Sequence, residues 1–217
     1  MNTIESSGIK RLTGEDFIQI SQFLNCDSAV LKAVHHVETE GRGGFFAPGK
    51  PVIRFVGYIF WRQLKKLGLN PAEYVSGNED VLYPMWEKGH YKGVVHEYAL
   101  LERSRKIHIE AADSSTSWGM FQIMGSKYAA YGEPDVESFV QNMCESEYKQ
   151  LLLFANFIKN NPRMLVALQT KSVVTFSKYY NGPDFTINRY GERLMDCLLY
   201  TSPSPRDISG SRMPSSA

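Results

Sequence analysis

The segment Ser117-Trp118-Gly119-Met120-Phe121-Gln122-Ile123-Met124-Gly125 is the most distinctive stretch of this 217-residue chain. With the preceding Ser114-Ser115-Thr116 it forms a stretch in which small hydroxyl residues, glycine and a single glutamine interrupt apolar side chains. A glutamine buried among apolar groups needs hydrogen-bond partners, so such a residue is rarely without a role. We therefore expect Gln122 to be buried and to belong to a functional site.

A second candidate residue, Glu38, ends a predicted helix upstream of this segment. It follows Val34 by four residues and Val30 by eight, and helix geometry places the three side chains on one side. Burial among apolar groups and the negative end of a helix both raise the pKa of a carboxyl group. That environment suits a general acid near neutral pH. The same pattern also fits a boundary glutamate that only hydrogen-bonds a neighbouring loop.

A third candidate lies downstream, where the aromatic pair Tyr179-Tyr180 is followed by Asn181, Gly182 and Pro183. An aromatic ring and an amide before a turn suit the wall of a cleft that stacks on a sugar and hydrogen-bonds its acetamido group. The end of a helix explains the same residues equally well.

Together the three segments resemble the phage-type N-acetylmuramidase domain of modular endolysins, which is itself similar to goose-type lysozymes and lytic transglycosylases. The resemblance covers roughly residues 12–194. Its motifs are A-V-x-x-V-E-(S/T)-x-G at 33–41, S-W-G-x-F-Q-I-M-G at 117–125 and Y-N-G-P at 180–183. It implies a mainly α, lysozyme-like domain with a small β- or loop-rich lobe over residues 1–195.

The resemblance also implies the function and the roles of the site residues. Glu38 would be the general acid that protonates the glycosidic oxygen between N-acetylmuramic acid and N-acetylglucosamine. Bacterial peptidoglycan would be the substrate, and no cofactor would be needed. The residues expected to bind the glycan in the cleft are Ser117, Gln122, Tyr180 and Asn181.

Val56 departs from this family pattern. Glycosidases use a second carboxylate as nucleophile about 5–5.5 Å from the acid, or as base for a water with a separation of about 6.5–9.5 Å. The family places a glutamate where this chain has Val56, within Phe55-Val56-Gly57-Tyr58. Three outcomes stay open: Asp113 or Glu40 replaces it, the substrate's own hydroxyl attacks to give an anhydro product, or the protein binds peptidoglycan without cleaving it.

Composition narrows the possible partners. The chain is 43% hydrophobic, which excludes wholesale disorder, and its net charge of +1 gives no electrostatic footprint for nucleic acid. No apolar run is long enough to span a bilayer, so we expect no membrane insertion, and we expect a monomer. A metal site could be imagined from His35, Glu38 and either His90 or His96, but no recognisable ligand motif supports it and we predict no metal.

The two ends of the chain carry separate expectations. The polar residues 1–11 lack a signal core, which predicts synthesis in the host cytoplasm and access to periplasmic peptidoglycan through a holin-type lesion. Residues 196–217, rich in serine and proline, are expected to form a disordered tail. Residues 198–207 also resemble the translated sequence of a sequencing adapter, so this tail would be an artefact.

Periodicity and capping residues predict the elements between these ends. Two helices are predicted to begin after Thr13 and after Asp27, and a third spans 58–67. Two longer helices are predicted to be continuous, one over 94–112 and one from Asp135 through 158. Two more are predicted, one beginning at Asn161-Pro162 and one over 172–180, and a strand is predicted over 52–55.

Overall fold

A computed structural model of the chain describes residues 8–86 and 91–181. Its elements, in chain order, are α1 (Gly14–Leu24), α2 (Ser28–Thr39), β1 (Phe45–Ala47), β2 (Lys50–Pro51), β3 (Ile53–Phe55), α3 (Gly57–Lys66), a 3-10 helix (Pro71–Tyr74), α4 (Val94–Ile107), α5 (Ile109–Ser114), β4 (Thr116–Trp118), β5 (Ile123–Met124), a second 3-10 helix (Gly125–Tyr131), α6 (Val136–Glu145), α7 (Glu147–Lys159), α8 (Pro162–Gln169) and α9 (Val173–Asn181). The mainly α class with a small β component is confirmed.

The helix starts predicted from capping residues are confirmed. The Asp16 N–H donates to Thr13 Oγ1 at 3.3 Å, and the Thr13 N–H donates to the Asp16 carboxylate at 2.7 Å, so the two residues cap α1 reciprocally. Asp27 accepts from the Ala29 N–H at 2.8 Å before α2, and Asn161 caps α8 in the same way.

Two long helices predicted as continuous are each broken, so those two predictions are wrong. His108 separates α4 from α5 and Ser146 separates α6 from α7, both with extended backbone. Each residue caps the helix that follows: His108 Nδ1 accepts from the Ala111 N–H at 3.3 Å, and Ser146 Oγ accepts from the Lys149 N–H at 3.2 Å. A side chain that bonds the next turn competes with continuation of the preceding helix.

The chain divides into two compact units, of which the second comprises Phe17–Gly41 and Asn161–Ala217. Within it α8 packs against α9, and Gln169 Nε2 donates to the Leu24 carbonyl at 2.9 Å, which ties α8 to the end of α1. Apolar side chains from all four helices form its core: Ile20, Leu24, Leu31, Val34, Met164, Leu168 and Phe176.

The first unit comprises Met1–Asp16 and Arg42–Asn160 and contains all the described strands. Strands β3, β4 and β5 form an antiparallel sheet in which Arg54 lies opposite Ser117, and β1 and β2 form a separate hairpin. The strand predicted over 52–55 is therefore confirmed as β3. Helices α3 to α7 surround the sheet around a core that includes Ile53, Phe60, Leu101, Trp118, Phe139 and Phe154.

One fully buried amide in α7 joins separate parts of the first unit. Gln150 Oε1 accepts from the Met120 N–H at 2.9 Å, and Gln150 Nε2 donates to the Met143 carbonyl at 2.9 Å. Its side chain lies against Gly119, where a Cβ would approach Oε1 to 2.7 Å and where φ is +70°. Only glycine suits that position, which explains Gly119 in the 117–125 segment.

Glu147, one turn earlier in α7, fixes the chain near residue 44. Its Oε1 accepts from the Gly44 N–H and from Arg11 Nη1, both at 2.8 Å, and its Oε2 accepts from the Leu12 N–H at 3.0 Å. A buried carboxylate bound by a guanidinium and two amides is well satisfied. It anchors the chain that enters the β1–β2 hairpin and the segment before α1.

No helix within residues 8–86 and 91–181 is both long and apolar enough to cross a membrane. The tail predicted over 196–217, the turn residues Gly182 and Pro183, and His90 lie outside the described residues.

We predict that Gln150→Met destabilises the first unit by about 3 kcal/mol, because the buried Met120 N–H and Met143 carbonyl both lose their partner. Chemical denaturation would measure the change in the free energy of unfolding. Gln141→Met, at an exposed position of α6, is the control and should change stability by less than about 0.5 kcal/mol. Equal stability of the two variants would contradict the role assigned to Gln150.

Candidate active site

The β3–β4–β5 sheet brings three of the predicted site residues into one region of the first unit. Val56 directly follows β3, and its N–H donates to the Ser115 carbonyl at 3.0 Å. Ser117 lies in β4, and Gln122 lies in the turn between β4 and β5. The sheet register therefore accounts for how Val56 and Ser117, far apart in the sequence, lie in the same region of the first unit.

Gln122 is exposed, so the expectation that it is buried is wrong. Its backbone is left-handed, with φ of +48°, and its Nε2 donates back to the Gly119 carbonyl at 2.9 Å and to the Val52 carbonyl at 3.3 Å. Gln150, and not Gln122, is the fully buried glutamine with hydrogen-bond partners. Exposure leaves Gln122 accessible to a ligand, which is compatible with the role predicted for it.

Val56 is the N-cap of α3 and is half-buried, with no side-chain hydrogen bond to the helix. The next residue, Gly57, is packed so closely by the Tyr83 ring and the Val81 carbonyl that no Cβ would fit. An anion at this position would lie at the positive end of the helix dipole. The backbone at position 56 is thus well placed for a carboxylate, which valine does not supply.

Glu97 of α4 is a buried carboxyl that the sequence analysis did not assign to the site. It is only 1% exposed, and its Oε2 accepts from the N–H of Phe55, the residue before Val56, at 2.8 Å. Burial raises the pKa of Glu97, while the backbone amides of Phe55 and Lys92 act in the opposite direction. Its spacing of four from the buried Leu101 is the signal that would have found it.

Asp113 and Glu40, the two carboxylates that could replace a glutamate at position 56, lie in different environments from each other. Asp113 is buried, and its Oδ1 accepts from Arg105 Nε at 2.8 Å, so it belongs to an ion pair with that side chain. Glu40 is exposed and forms the C-cap of α2 with left-handed backbone.

Glu38 lies in the last turn of α2 in the second unit. The stripe formed by Val30, Val34 and Val37 is buried as predicted, while Glu38 itself is half-buried and its Oε1 is shielded from solvent. Thr39 donates its hydroxyl to the His35 carbonyl at 2.9 Å, and the left-handed backbone of Glu40 ends the helix. The carboxyl is therefore partly sheltered at the C-terminal end of a well-defined helix.

Tyr180 and Asn181 also belong to the second unit, at the end of α9. Tyr180 is half-buried, and its ring stacks on Phe176 with centroids 6.0 Å apart. Among the sequence-predicted residues, Glu38, Tyr180 and Asn181 fall in the second unit, whereas Val56, Ser117 and Gln122 fall in the first.

In the ranges 8–86 and 91–181, no three histidine, cysteine, aspartate or glutamate side chains are grouped so that they could hold a metal ion. Glycoside hydrolysis by carboxyl groups needs none.

Comparison with known proteins decides the family. A family model described as N-acetylmuramidase matches residues 27–200. The chain belongs to the N-acetylmuramidase family. The muramidase is also similar to the crystal structure of the Burkholderia AP3 phage endolysin, with 34% sequence identity, a TM-score of 0.80, and coverage of 89% of this chain and 73% of that chain. No curated protein matches it.

These comparisons confirm the predicted family and the lysozyme-like fold class. The muramidase is a glycoside hydrolase of the lysozyme-like type that acts on peptidoglycan.

We predict that Glu97→Gln becomes more stable relative to wild type as pH rises from about 4 to about 7. Because burial raises the folded-state pKa of Glu97 above its ordinary value of 4.5, the folded chain binds more protons than the unfolded chain in that interval. The contribution of Glu97 is therefore largest at low pH and falls as pH rises through the folded-state pKa. Glutamine stays neutral and can still accept from the Phe55 N–H.

Denaturant unfolding at several pH values would measure this difference. Glu110→Gln, exposed in α5, is the control for an amide substitution and should leave stability within about 0.5 kcal/mol of wild type. A Glu97→Gln difference that stays constant across the pH range would contradict the prediction.

Proposed function

We propose that this muramidase is a phage or prophage endolysin that cleaves the glycosidic bond between N-acetylmuramic acid and N-acetylglucosamine, with Glu38 as general acid. The observation that carries the proposal is the half-buried position of Glu38 at the end of α2, with Oε1 shielded from solvent. Similarity to a phage endolysin supports the biological setting.

The surroundings of Glu38 suit proton donation. A carboxyl oxygen removed from water favours the neutral form, and the C-terminal end of α2 disfavours negative charge for the same residue. In the reaction Glu38 gives its proton to the bridging oxygen as the bond to the sugar breaks, and positive charge develops on the ring. Ser117, Gln122, Tyr180 and Asn181 are proposed to bind the glycan.

The step proposed to be impaired in this muramidase is the attack on the sugar from the face opposite the proton donor. The side chain of Val56 cannot attack, act as base or accept a hydrogen bond, and the ion pair of Asp113 with Arg105 disfavours that residue as its substitute. Either a water molecule without carboxylate assistance or the substrate's own hydroxyl must then attack. The first route leaves a reducing end, and the second gives the anhydro end typical of lytic transglycosylases.

A second candidate function is peptidoglycan binding without turnover. The hydrocarbon side chain at position 56 favours it, because acid–base assistance by one residue is worth about 10²–10⁴-fold in rate. Substitutions of Glu38 and of Val56 distinguish peptidoglycan binding without turnover from slow cleavage.

We predict that Glu38→Gln lowers the rate of glycan cleavage by about 10²–10⁴-fold, because the amide has no proton to donate. Release of soluble muropeptides from purified peptidoglycan would measure it, with Glu15→Gln, exposed in α1, as the control at wild-type rate. Equal loss in both variants, or none in Glu38→Gln, would remove Glu38 from the mechanism. No cleavage by the wild-type protein at any pH would favour the binding function.

We predict that Val56→Glu raises the cleavage rate by about 10²–10⁴-fold by supplying the missing carboxylate. The helix dipole of α3 accommodates an anion at its N-cap, so the fold should tolerate the change. Val56→Gln has the same size without the charge and should stay at the wild-type rate. Mass spectrometry of the products distinguishes reducing from anhydro ends, and equal rates for the two variants would rule out a catalytic role for position 56.

A further inference from the structure

Strand β3 carries an exposed cation, Arg54, between two core residues. Ile53 and Phe55 are buried, whereas Arg54 is exposed. Because successive side chains of a strand point to opposite faces of the sheet, Arg54 lies on the face opposite the core of the first unit. A cation on that face can contact a ligand without disturbing the packing beneath the sheet.

The register of the sheet places Arg54 beside a residue of the proposed glycan-binding site. Arg54 lies directly opposite Ser117 of β4. The side chains of directly opposed residues share one face of the sheet, with Cβ atoms about 4.5–5.5 Å apart. Ser117 is only 9% exposed, so Arg54 is the side chain of this pair that a ligand can reach more easily.

Position 56 lies on the same face as Arg54. The Val56 N–H donates to the Ser115 carbonyl at 3.0 Å, and the backbone of Val56 is extended, with φ of −133°. The alternation of β3 therefore continues through this residue, and positions 54 and 56 are neighbours along one face, about 6–7 Å apart. Main-chain geometry thus holds Arg54 next to both Ser117 and position 56.

The charge of Arg54 is not neutralised by an ion pair with any side chain in the described segments 8–86 and 91–181. The carboxyl group that interacts with it electrostatically belongs to Glu97, which is 1% exposed and accepts from the Phe55 N–H at 2.8 Å. Burial raises the pKa of Glu97 and so favours its neutral form, which does not cancel a neighbouring positive charge. Arg54 is therefore available to an external anion.

We infer that Arg54 is a specificity-determining residue that binds a carboxylate of the substrate beside position 56. This inference rests on the proposed function, under which the glycan binds at Ser117. The ligand class follows from the guanidinium group, whose planar fork of donors matches a carboxylate. Peptidoglycan offers this group on the lactyl ether of N-acetylmuramic acid where the peptide is removed, and on the peptide stems where it is present. Polymers of N-acetylglucosamine alone offer none.

Three soluble ligands separate the charge effect from binding of the sugar rings. The tetramer of N-acetylglucosamine has no carboxylate, glycan strands stripped by an amidase carry the lactyl carboxylate, and strands with intact stems carry the stem carboxylates. Isothermal titration calorimetry gives Kd for each ligand, using as parent the full chain with Glu38→Gln so that cleavage does not consume the ligand.

Arg54→Gln in this parent should weaken binding of a carboxylate-bearing ligand about tenfold and leave tetramer binding within about twofold, because only the former loses a charge-assisted hydrogen bond. A loss confined to the stripped strands identifies the lactyl group, and a loss confined to the intact strands identifies the stems. The difference should shrink as salt rises from about 0.05 to about 0.5 M, because salt screens an exposed ion pair.

Two further variants control for charge and geometry. Lys106→Gln removes a positive charge from an exposed position at the end of α4 and should bind all three ligands like the parent. Arg54→Lys keeps the charge without the planar fork and should bind the carboxylate-bearing ligand more tightly than Arg54→Gln and less tightly than the parent.

The inference is overturned if Arg54→Gln binds both carboxylate-bearing ligands like the parent, if it loses tetramer binding equally, or if Lys106→Gln causes the same loss. Absence of binding of all three ligands by the parent would overturn it as well. Failure of the proposed function is recognised separately, as unchanged cleavage of the strands by Glu38→Gln in mass spectrometry of the ligands, because the effect of Arg54 is measured on binding.

Discussion

The buried amide of Gln150 is the interaction on which the first unit depends. It binds the main chain of Met120 and Met143, and the neighbouring Glu147 binds the Gly44 amide. A buried polar side chain destabilises the fold unless all of its polar atoms have hydrogen-bond partners. Gln150 meets this condition by bonding main-chain groups that have no partner in a helix or sheet. Because α7 supplies both groups, one helix fixes the hairpin region and the 117–125 segment at the same time.

The same logic explains why the fold does not need a carboxylate at position 56. The described contacts at the β3–α3 junction go through the backbone or through neighbours of that position: the Ser115 carbonyl binds the Val56 N–H, Glu97 binds the Phe55 N–H, and Tyr83 covers Gly57. None of these contacts needs a carboxylate at position 56. Under the proposed function, valine at this position therefore removes a catalytic group without removing these contacts.

Local sequence signals were sufficient to predict the helix starts and the family. They were insufficient wherever contacts between distant parts of the chain determine the structure. Capping residues such as Thr13 and Asp27 act within one turn, so their effect is visible in the sequence. The breaks at His108 and Ser146 interrupt runs that are otherwise helical in composition, and Gln122 is exposed in a turn with left-handed backbone that the apolar pattern does not reveal. The roles of Glu97 and Gln150 depend on partners 42 and 30 residues away.

Binding and chemistry should be carried by different parts of this muramidase. An aromatic ring that stacks on a sugar remote from the breaking bond stabilises the ground state and the transition state alike, which lowers KM and leaves kcat unchanged. A proton donor and a carboxylate act mainly in the transition state and raise kcat. Under the proposed function, affinity for the glycan therefore cannot compensate for valine at position 56, and KM and kcat report on different residues.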